Sequence, residues 1–197
     1  MLDLSCDLLL VIARNLDPQD YLTMSLVSKK IDTCLSEGRF NTSKGDIVLK
    51  QIQKEILQKQ LAAVSNDGSA IQYLKNPSEE VQLAAVKNYG LGIKYIKNPS
   101  EEVQLAAVRQ NGNAIDYIKN PSEEVQLAAV SQNGTVIEYI KNPSEEVQLA
   151  AVGNYAYAIE YIENPSEKVQ ITAVRKNASS IEFIKNPTKK VRMAARR

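Results

Sequence analysis

Residues 98–119 read NPSEEVQLAAVRQNGNAIDYIK, and this stretch decides the architecture of most of the 197-residue chain. Asn98 is a favoured helix N-cap, Pro99 is pre-organised for the first helical position, and Glu101 follows at the third, a capping-box-like start. Glu101 and Glu102 also sit at the positive end of the helix dipole. Val103, Leu105, Ala106, Ala107 and Val108 then place apolar groups around most of the circumference, which predicts a helix sandwiched between neighbours. The alanine pair lets those neighbours approach closely. Asn111-Gly112 predicts the stop, glycine being suited to a left-handed C-terminal cap. The following Ala114-Ile115-Asp116-Tyr117-Ile118-Lys119 predicts a second helix of about two turns, either α or 3₁₀.

The stretch recurs. Six of the seven prolines stand at 77, 99, 121, 143, 165 and 187, each in Asn-Pro and each 22 residues from the last. Full copies span 76–97, 98–119, 120–141, 142–163 and 164–185, and a truncated one occupies 186–197. A degenerate half-copy precedes them: Leu61-Ala62-Ala63-Val64 and Ile71-Gln72-Tyr73-Leu74 match, but Glu55 stands where the proline should be. A fixed period of this size predicts a solenoid, because one such unit cannot bury its own apolar face and must stack on its neighbours. A leucine-rich repeat has a similar length but needs an L-x-L strand and an Asn ladder, so a two-helix unit fits better. The layout resembles the compact repeats of the leucine-rich-repeat variant class, with one α-helix and one short helix each, over about 60–197. Near-identical copies of this kind also resemble repeat proteins of large DNA viruses and protists, which would imply a role in host–virus interaction.

Composition excludes much chemistry. The chain has no His, so it holds no Ser-His-Asp triad, no Cys-His dyad and no His-ligated zinc. Cys6 and Cys34 cannot complete a Cys₄ or Cys₃ site, and they read as small buried hydrophobes in a reducing compartment, cytoplasmic or nuclear. No run of 18 apolar residues exists, and the acidic N-terminus is unlike a signal peptide, so neither a membrane span nor secretion is expected. The net charge of +1 gives no broad attraction for nucleic acid. It hides a gradient: successive full repeats carry +1, −1, −2, −4 and +2, and the last part-repeat +5, from Lys189, Lys190, Arg192, Arg196 and Arg197. No cofactor or metal is expected. Paired acids can cleave glycosidic bonds, but Glu101 and Glu102 recur from repeat to repeat, which suits helix capping rather than a unique active site.

Differences among the repeats point to a surface. Constant Asn, Pro, Val, Ala and Ile positions read as stacking core. The constant aromatic position, Tyr73, Tyr95, Tyr117, Tyr139, Tyr161 and Phe183, reads as rings packed between repeats with the hydroxyl at the edge, with a ligand-stacking platform as the alternative. Residues just after each first helix vary, as do Lys94, Asp116, Glu138, Glu160 and Glu182. Variation at fixed offsets on a rigid scaffold arises by drift at solvent positions or marks a partner-binding edge. On the second reading Tyr89, Asn111, Asn133, Tyr155 and Tyr157 are the substrate-binding candidates, with Tyr155 and Tyr157 as aromatic anchors in a loop.

The first 45 residues do not repeat. Leu4, Leu8, Leu9, Ile12 and Leu16 have helical spacing, Asp17-Pro18 starts a second helix bearing Leu22 and Val27, and a third piece runs from Ser28 to about Leu35. The run Leu4-Ser5-Cys6-Asp7-Leu8-Leu9 … Ile12 … Leu16-Asp17-Pro18 … Leu22 … Val27-Ser28-Lys29 resembles an F-box over residues 2–36. Ser5 replaces the usual Pro, Asp7 replaces Glu, and Ile31 and Asp32 stand where a Trp is usual. The resemblance implies a non-enzymatic adaptor. Leu4, Leu8, Leu9, Ile12, Leu16, Leu22 and Val27 would bind the small adaptor subunit of a cullin-type ubiquitin ligase, and the repeats would hold an unidentified protein substrate. The alternative is a repeat scaffold with no ubiquitin link, whose N-terminal helices only cap the solenoid. The expected fold is all-α, with an F-box-like three-helix segment at 1–45 and a right-handed-type α-solenoid of two-helix repeats at 46–197.

Overall fold

The computed structural model describes Thr33 and residues 43–196, and among them every regular element is a helix. The expected three short N-terminal helices, with Leu4, Leu8, Leu9, Ile12, Leu16, Leu22, Val27, Cys6 and Cys34, lie outside the described residues. The chain divides into two compact units, Met1–Asn88 and Tyr89–Arg197.

The described part of the first unit comprises α1 (Ser43–Asn66), the 3₁₀ helix η1 (Gly68–Tyr73) and α2 (Glu79–Asn88). Here α1 runs through the place where later repeats turn, because Glu55 can continue a helix where Asn-Pro cannot. Its last turns supply the half-copy's core, with Ile56, Gln60, Ala63 and Val64 buried. Both α1 and η1 pack against α2.

The second unit alternates 3₁₀ and α segments: η2 (Gly90–Tyr95), α3 (Glu101–Gln110), η3 (Gly112–Tyr117), α4 (Glu123–Gln132), η4 (Gly134–Tyr139), α5 (Glu145–Asn154), η5 (Ala156–Tyr161), α6 (Glu167–Lys176), η6 (Ala178–Phe183) and α7 (Lys189–Ala194). Each α-helix packs on the next and each 3₁₀ helix on the next, giving two facing rows with the core between them. This is the repeated helix pair of an α-solenoid. One layer of that core is Val103, Ala107 and Val108 from α3 against Ala114, Ile115 and Ile118 around η3, and the neighbouring repeats copy it. Leu105 and Ala106 are only half-buried, so the α row is covered on less of its circumference than the apolar pattern predicts. The short second helix is 3₁₀. Gly112, Ile115 and Ile118, three residues apart, fall on one buried edge, while Asn113 and Asp116 share an exposed one.

Three local expectations are overturned. Asn98 does not cap α3. It adopts left-handed backbone at φ 51°, as do Asn76, Asn120, Asn142 and Asn186. Pro excludes right-handed helix for the residue before it, and Asn enters the left-handed region more readily than other side chains, so Asn-Pro makes the corner between helices. The cap is Ser100, whose Oγ accepts from the Val103 amide at 3.4 Å, which places Pro99 before the cap and Glu101 at the first helical position. Gln104 reaches back and donates from Nε2 to the Pro99 carbonyl at 2.9 Å, and the same bond recurs from Gln82, Gln126, Gln148 and Gln170.

Second, Gly112 is needed for space rather than handedness. A Cβ there would stand 2.9 Å from the Ala129 carbonyl oxygen and 2.7 Å from Gln132 Oε1. The residue that ends α3 is Asn111, in extended backbone at φ −150°, and the same residue opens η3. Third, the constant aromatics are not packed away between repeats. Their exposure runs from 38% at Phe183 to 48% at Tyr117.

Candidate functional site

The 3₁₀ row of the second unit carries the features that suit recognition. Tyr95, Tyr117, Tyr139, Tyr161 and Phe183 occupy the same position in consecutive 3₁₀ helices, so their exposed rings form a stripe. Immediately before each ring stands an exposed charged residue: Lys94, then Asp116, Glu138, Glu160 and Glu182. Lys94 places its Nζ 4.8 Å from the centre of the Tyr95 ring, and the contact with Tyr95 raises the lysine pKa above its ordinary value. In the third full repeat the partner is an acid: a hydrogen bond to Glu138 pushes the Tyr139 hydroxyl upward, and Asp116 adds to that shift. Open grooves of about 600 Å³ and about 630 Å³ separate successive turns; Tyr139 with Asp116, Lys119 and Lys141 helps line the first, and Tyr161 with Glu138, Lys141 and Glu163 the second.

The five substrate-binding candidates divide into two kinds. Asn111 and Asn133 are structural caps: Asn111 Oδ1 accepts from the Asn113 amide at 3.0 Å, and Asn133 Oδ1 from the Thr135 amide at 3.1 Å and its hydroxyl at 2.9 Å. Asn133 Nδ2 also donates to Asn113 Oδ1 at 3.2 Å. Tyr89 and Tyr155 hold the same position, but neither makes a side-chain cap. Tyr155 is 43% exposed and opens η5. Tyr157 lies within η5, half-buried, and its hydroxyl accepts from Asn177 Nδ2 at 3.1 Å. Its ring meets Tyr155 at 5.5 Å and Phe183, edge-on, at 5.7 Å. The structure therefore brings Tyr155 and Tyr157 together and joins them to the stripe through Phe183.

Sequence reading missed a set of structural residues among the variable ones. Gln110 Oε1 accepts from the Gly90 amide at 2.8 Å, Gln132 Oε1 from Gly112 at 2.8 Å, and Asn154 Oδ1 from Gly134 at 2.9 Å; in the first unit Asn88 Oδ1 accepts from Gly68 at 2.9 Å. Asn154 also donates from Nδ2 to the Ser131 carbonyl at 2.7 Å, so one amide clamps two backbone groups of the preceding repeat. The signal was an amide-bearing residue at four successive copies of one position. A second link joins the cap serines to the preceding repeat: the hydroxyls of Ser122 and Ser166 donate to Glu101 and Glu145, and Thr188 Oγ1 to Glu167 at 2.7 Å.

The basic end has a shallower setting. Lys190 pairs with Glu167 at 3.1 Å, and hydrogen bonds from Thr188 and Lys190 hold that carboxyl below its ordinary pKa. Ile171, Arg175, Lys189, Lys190, Met193 and Ala194 line a hollow of about 370 Å³. Among the described residues no cluster of three His, Cys, Asp or Glu is placed to hold a metal ion, and no helix is long and apolar enough to cross a membrane.

The second unit thus presents exposed rings and carboxylates along a repeated edge. Residues 1–32 match the F-box domain family. No curated protein and no solved structure matches the chain. F-box domains bind the small adaptor subunit of cullin ligases, and the match supports a role in ubiquitin-ligase substrate recognition in general. F-box proteins are typically adaptors rather than enzymes, and they are generally intracellular. The F-box match covers the stretch in which the leucine and isoleucine spacing carries the resemblance, up to Asp32.

Proposed function

We propose that the chain is a non-enzymatic substrate adaptor of a cullin-type ubiquitin ligase, with the F-box at its N-terminus as the ligase-binding end and the repeats as the substrate-binding end. The observation that carries this reading is the F-box match at 1–32 followed by a rigid row of repeats with an exposed aromatic edge. In this reading Leu4, Leu8, Leu9, Ile12, Leu16, Leu22 and Val27 bury against the ligase's adaptor subunit or support the helices that do. Tyr155 and Tyr157, which meet ring to ring beside the aromatic stripe, are the leading substrate contacts, with Tyr89 at the matching position of an earlier repeat, while Asn111 and Asn133 act through the caps they form. The functional boundary falls near residue 45, between the F-box segment and the helical repeats. The protein works inside a reducing cell interior, in cytoplasm or nucleus. A viral source, which near-identical copies of this kind resemble, would make both ligase and substrate the host's.

Capture of the ligase's adaptor subunit by the full chain tests the proposal. Wild type should retain it, and the double substitution Leu8→Asp with Ile12→Asp should abolish retention, because each places a charge where burial needs an apolar group. Absence of capture by wild type, or equal capture by the double variant, refutes the adaptor role. Deleting residues 1–45 separates the adaptor from a plain scaffold. The repeats of an adaptor should keep their helical signal with modest loss of stability, whereas repeats that depend on those residues as a cap should unfold.

A further inference from the structure

We propose that the 3₁₀ edge of the second unit docks an extended, Lys- or Arg-bearing segment of a partner protein, anchored at Tyr155, Tyr157 and Phe183 and followed along the ring–carboxylate pairs of the neighbouring repeats. This names a substrate class for the adaptor described above and rests on that reading only in calling the partner a substrate.

The first argument is the protein's own chemistry. Lys94 lies over the Tyr95 ring at 4.8 Å, so a tyrosine of this stripe takes a cation on its face. In the next four repeats the lysine position holds Asp116, Glu138, Glu160 and Glu182. The ring stays and the charge reverses, so the next four repeats present a carboxylate beside the ring, complementary to an external cation; at Glu138 that carboxylate also accepts from the Tyr139 hydroxyl. The acidity peaks around two of the anchor rings, Tyr155 and Tyr157, whose repeat 142–163 carries −4 and has Glu163 where the repeats on either side have Lys141 and Lys185; Phe183 stands in the next repeat beside Glu182.

The second argument comes from a broken local rule. At the residue that opens each 3₁₀ helix, Asp67, Asn111, Asn133 and Asn177 accept a hydrogen bond from the amide two residues on. Tyr155 forgoes that bond and leaves its ring 43% exposed. Tyr89 also lacks the cap but is half-buried, whereas Tyr155 gives up the cap for a ring contact with Tyr157 that still leaves it exposed to a partner. Tyr157 and Glu160 are three apart in a 3₁₀ helix and so share an edge, which sets a carboxylate beside the clustered rings. Single exposed apolar residues need no explanation, but rings 5.5 Å and 5.7 Å apart, joined to a stripe, form a patch.

The test is fluorescence anisotropy of the full chain with a fluorescein-labelled peptide of alternating Arg and Ser, beside a Glu–Ser peptide of equal length and oligouridylate. The basic peptide should bind and the other two should not. Tyr155→Asn restores the cap, so it should raise the melting temperature while weakening the peptide by about twofold to fivefold, the scale of one exposed cation–ring contact. The triple change Glu138→Gln, Glu160→Gln and Glu182→Gln should weaken it by about tenfold without altering the helical spectrum. No binding of the basic peptide, equal affinity for all three probes, or affinity unmoved by both variants overturns the proposal. Leu8→Asp with Ile12→Asp should leave peptide affinity unchanged, so loss of ligase capture with retained peptide binding removes the adaptor reading alone.

Discussion

At the scale of single residues, the corner asparagines repay the closest reading. Asn120 holds φ at 51°, where a Cβ crowds the backbone and an ordinary side chain costs about 1–2 kcal/mol. Alanine keeps that Cβ and loses the polar side chain that lets Asn tolerate the conformation, so Asn120→Ala should destabilise the protein by up to ~1 kcal/mol in denaturant unfolding, while Asn120→Gly, free to adopt positive φ, should cost less. The sequence marked this residue correctly and gave it the wrong role. Asn is favoured both at helix N-caps and in left-handed turns, so composition alone cannot separate Asn98 from Ser100 as the cap. Glu167 offers a charge-based check. Thr188 and Lys190 favour its ionised form, so its carboxyl titrates below the ordinary 4.5. The stabilisation from that pair is fully present above pH 4.5 and fades as pH falls through the lowered value. Side-chain carbon NMR should record the depressed titration, and Thr188→Ala with Lys190→Ala should return it toward 4.5.

At the scale of elements, α2, α3, α4 and α5 each clamp the 3₁₀ helix that precedes them through an amide side chain. Gln132 from α4 satisfies the part-buried Gly112 amide of η3. Gln132→Ala strands that amide and should lower stability by about 1–3 kcal/mol, measured by urea unfolding. Gly112→Ala forces a methyl against the Ala129 carbonyl and should destabilise by about 1–3 kcal/mol through overpacking. The helix pair was legible because proline placement and the Val-Ala-Ala-Val pattern survive in nearly every copy. The clamp was not, because its position alternates between residue types, Asn at 88 and 154 and Gln at 110 and 132, that share only an amide group. The stripe was misjudged for a geometric reason. A constant ring suggests core, but around a 3₁₀ helix Tyr117 falls between the buried edge of Ile115 and the exposed edge of Asp116, so it is about half exposed.

At the scale of the molecule, stability in the second unit comes from near-neighbour interfaces that repeat, so its parts are interchangeable. A chain lacking residues 120–141 brings Asn154 to the Gly112 amide in place of Gln132, one amide for another. It should fold with the helical signal of the remaining repeats and melt cooperatively at a somewhat lower temperature, as circular dichroism would show. Removal of the same number of residues from 110–131 joins Arg109 to Gln132, which leaves every joint in phase, and should behave alike. A deletion that is not a whole repeat misplaces the corner asparagine and should abolish the cooperative transition. This interchangeability reaches beyond protein chemistry into heredity. A gene made of such near-copies is open to unequal crossing-over between them, and each in-frame exchange yields offspring whose joints already fit. A lineage can thus lengthen or shorten its row of repeats in one genetic event, while the charges beside the constant rings diverge one codon at a time.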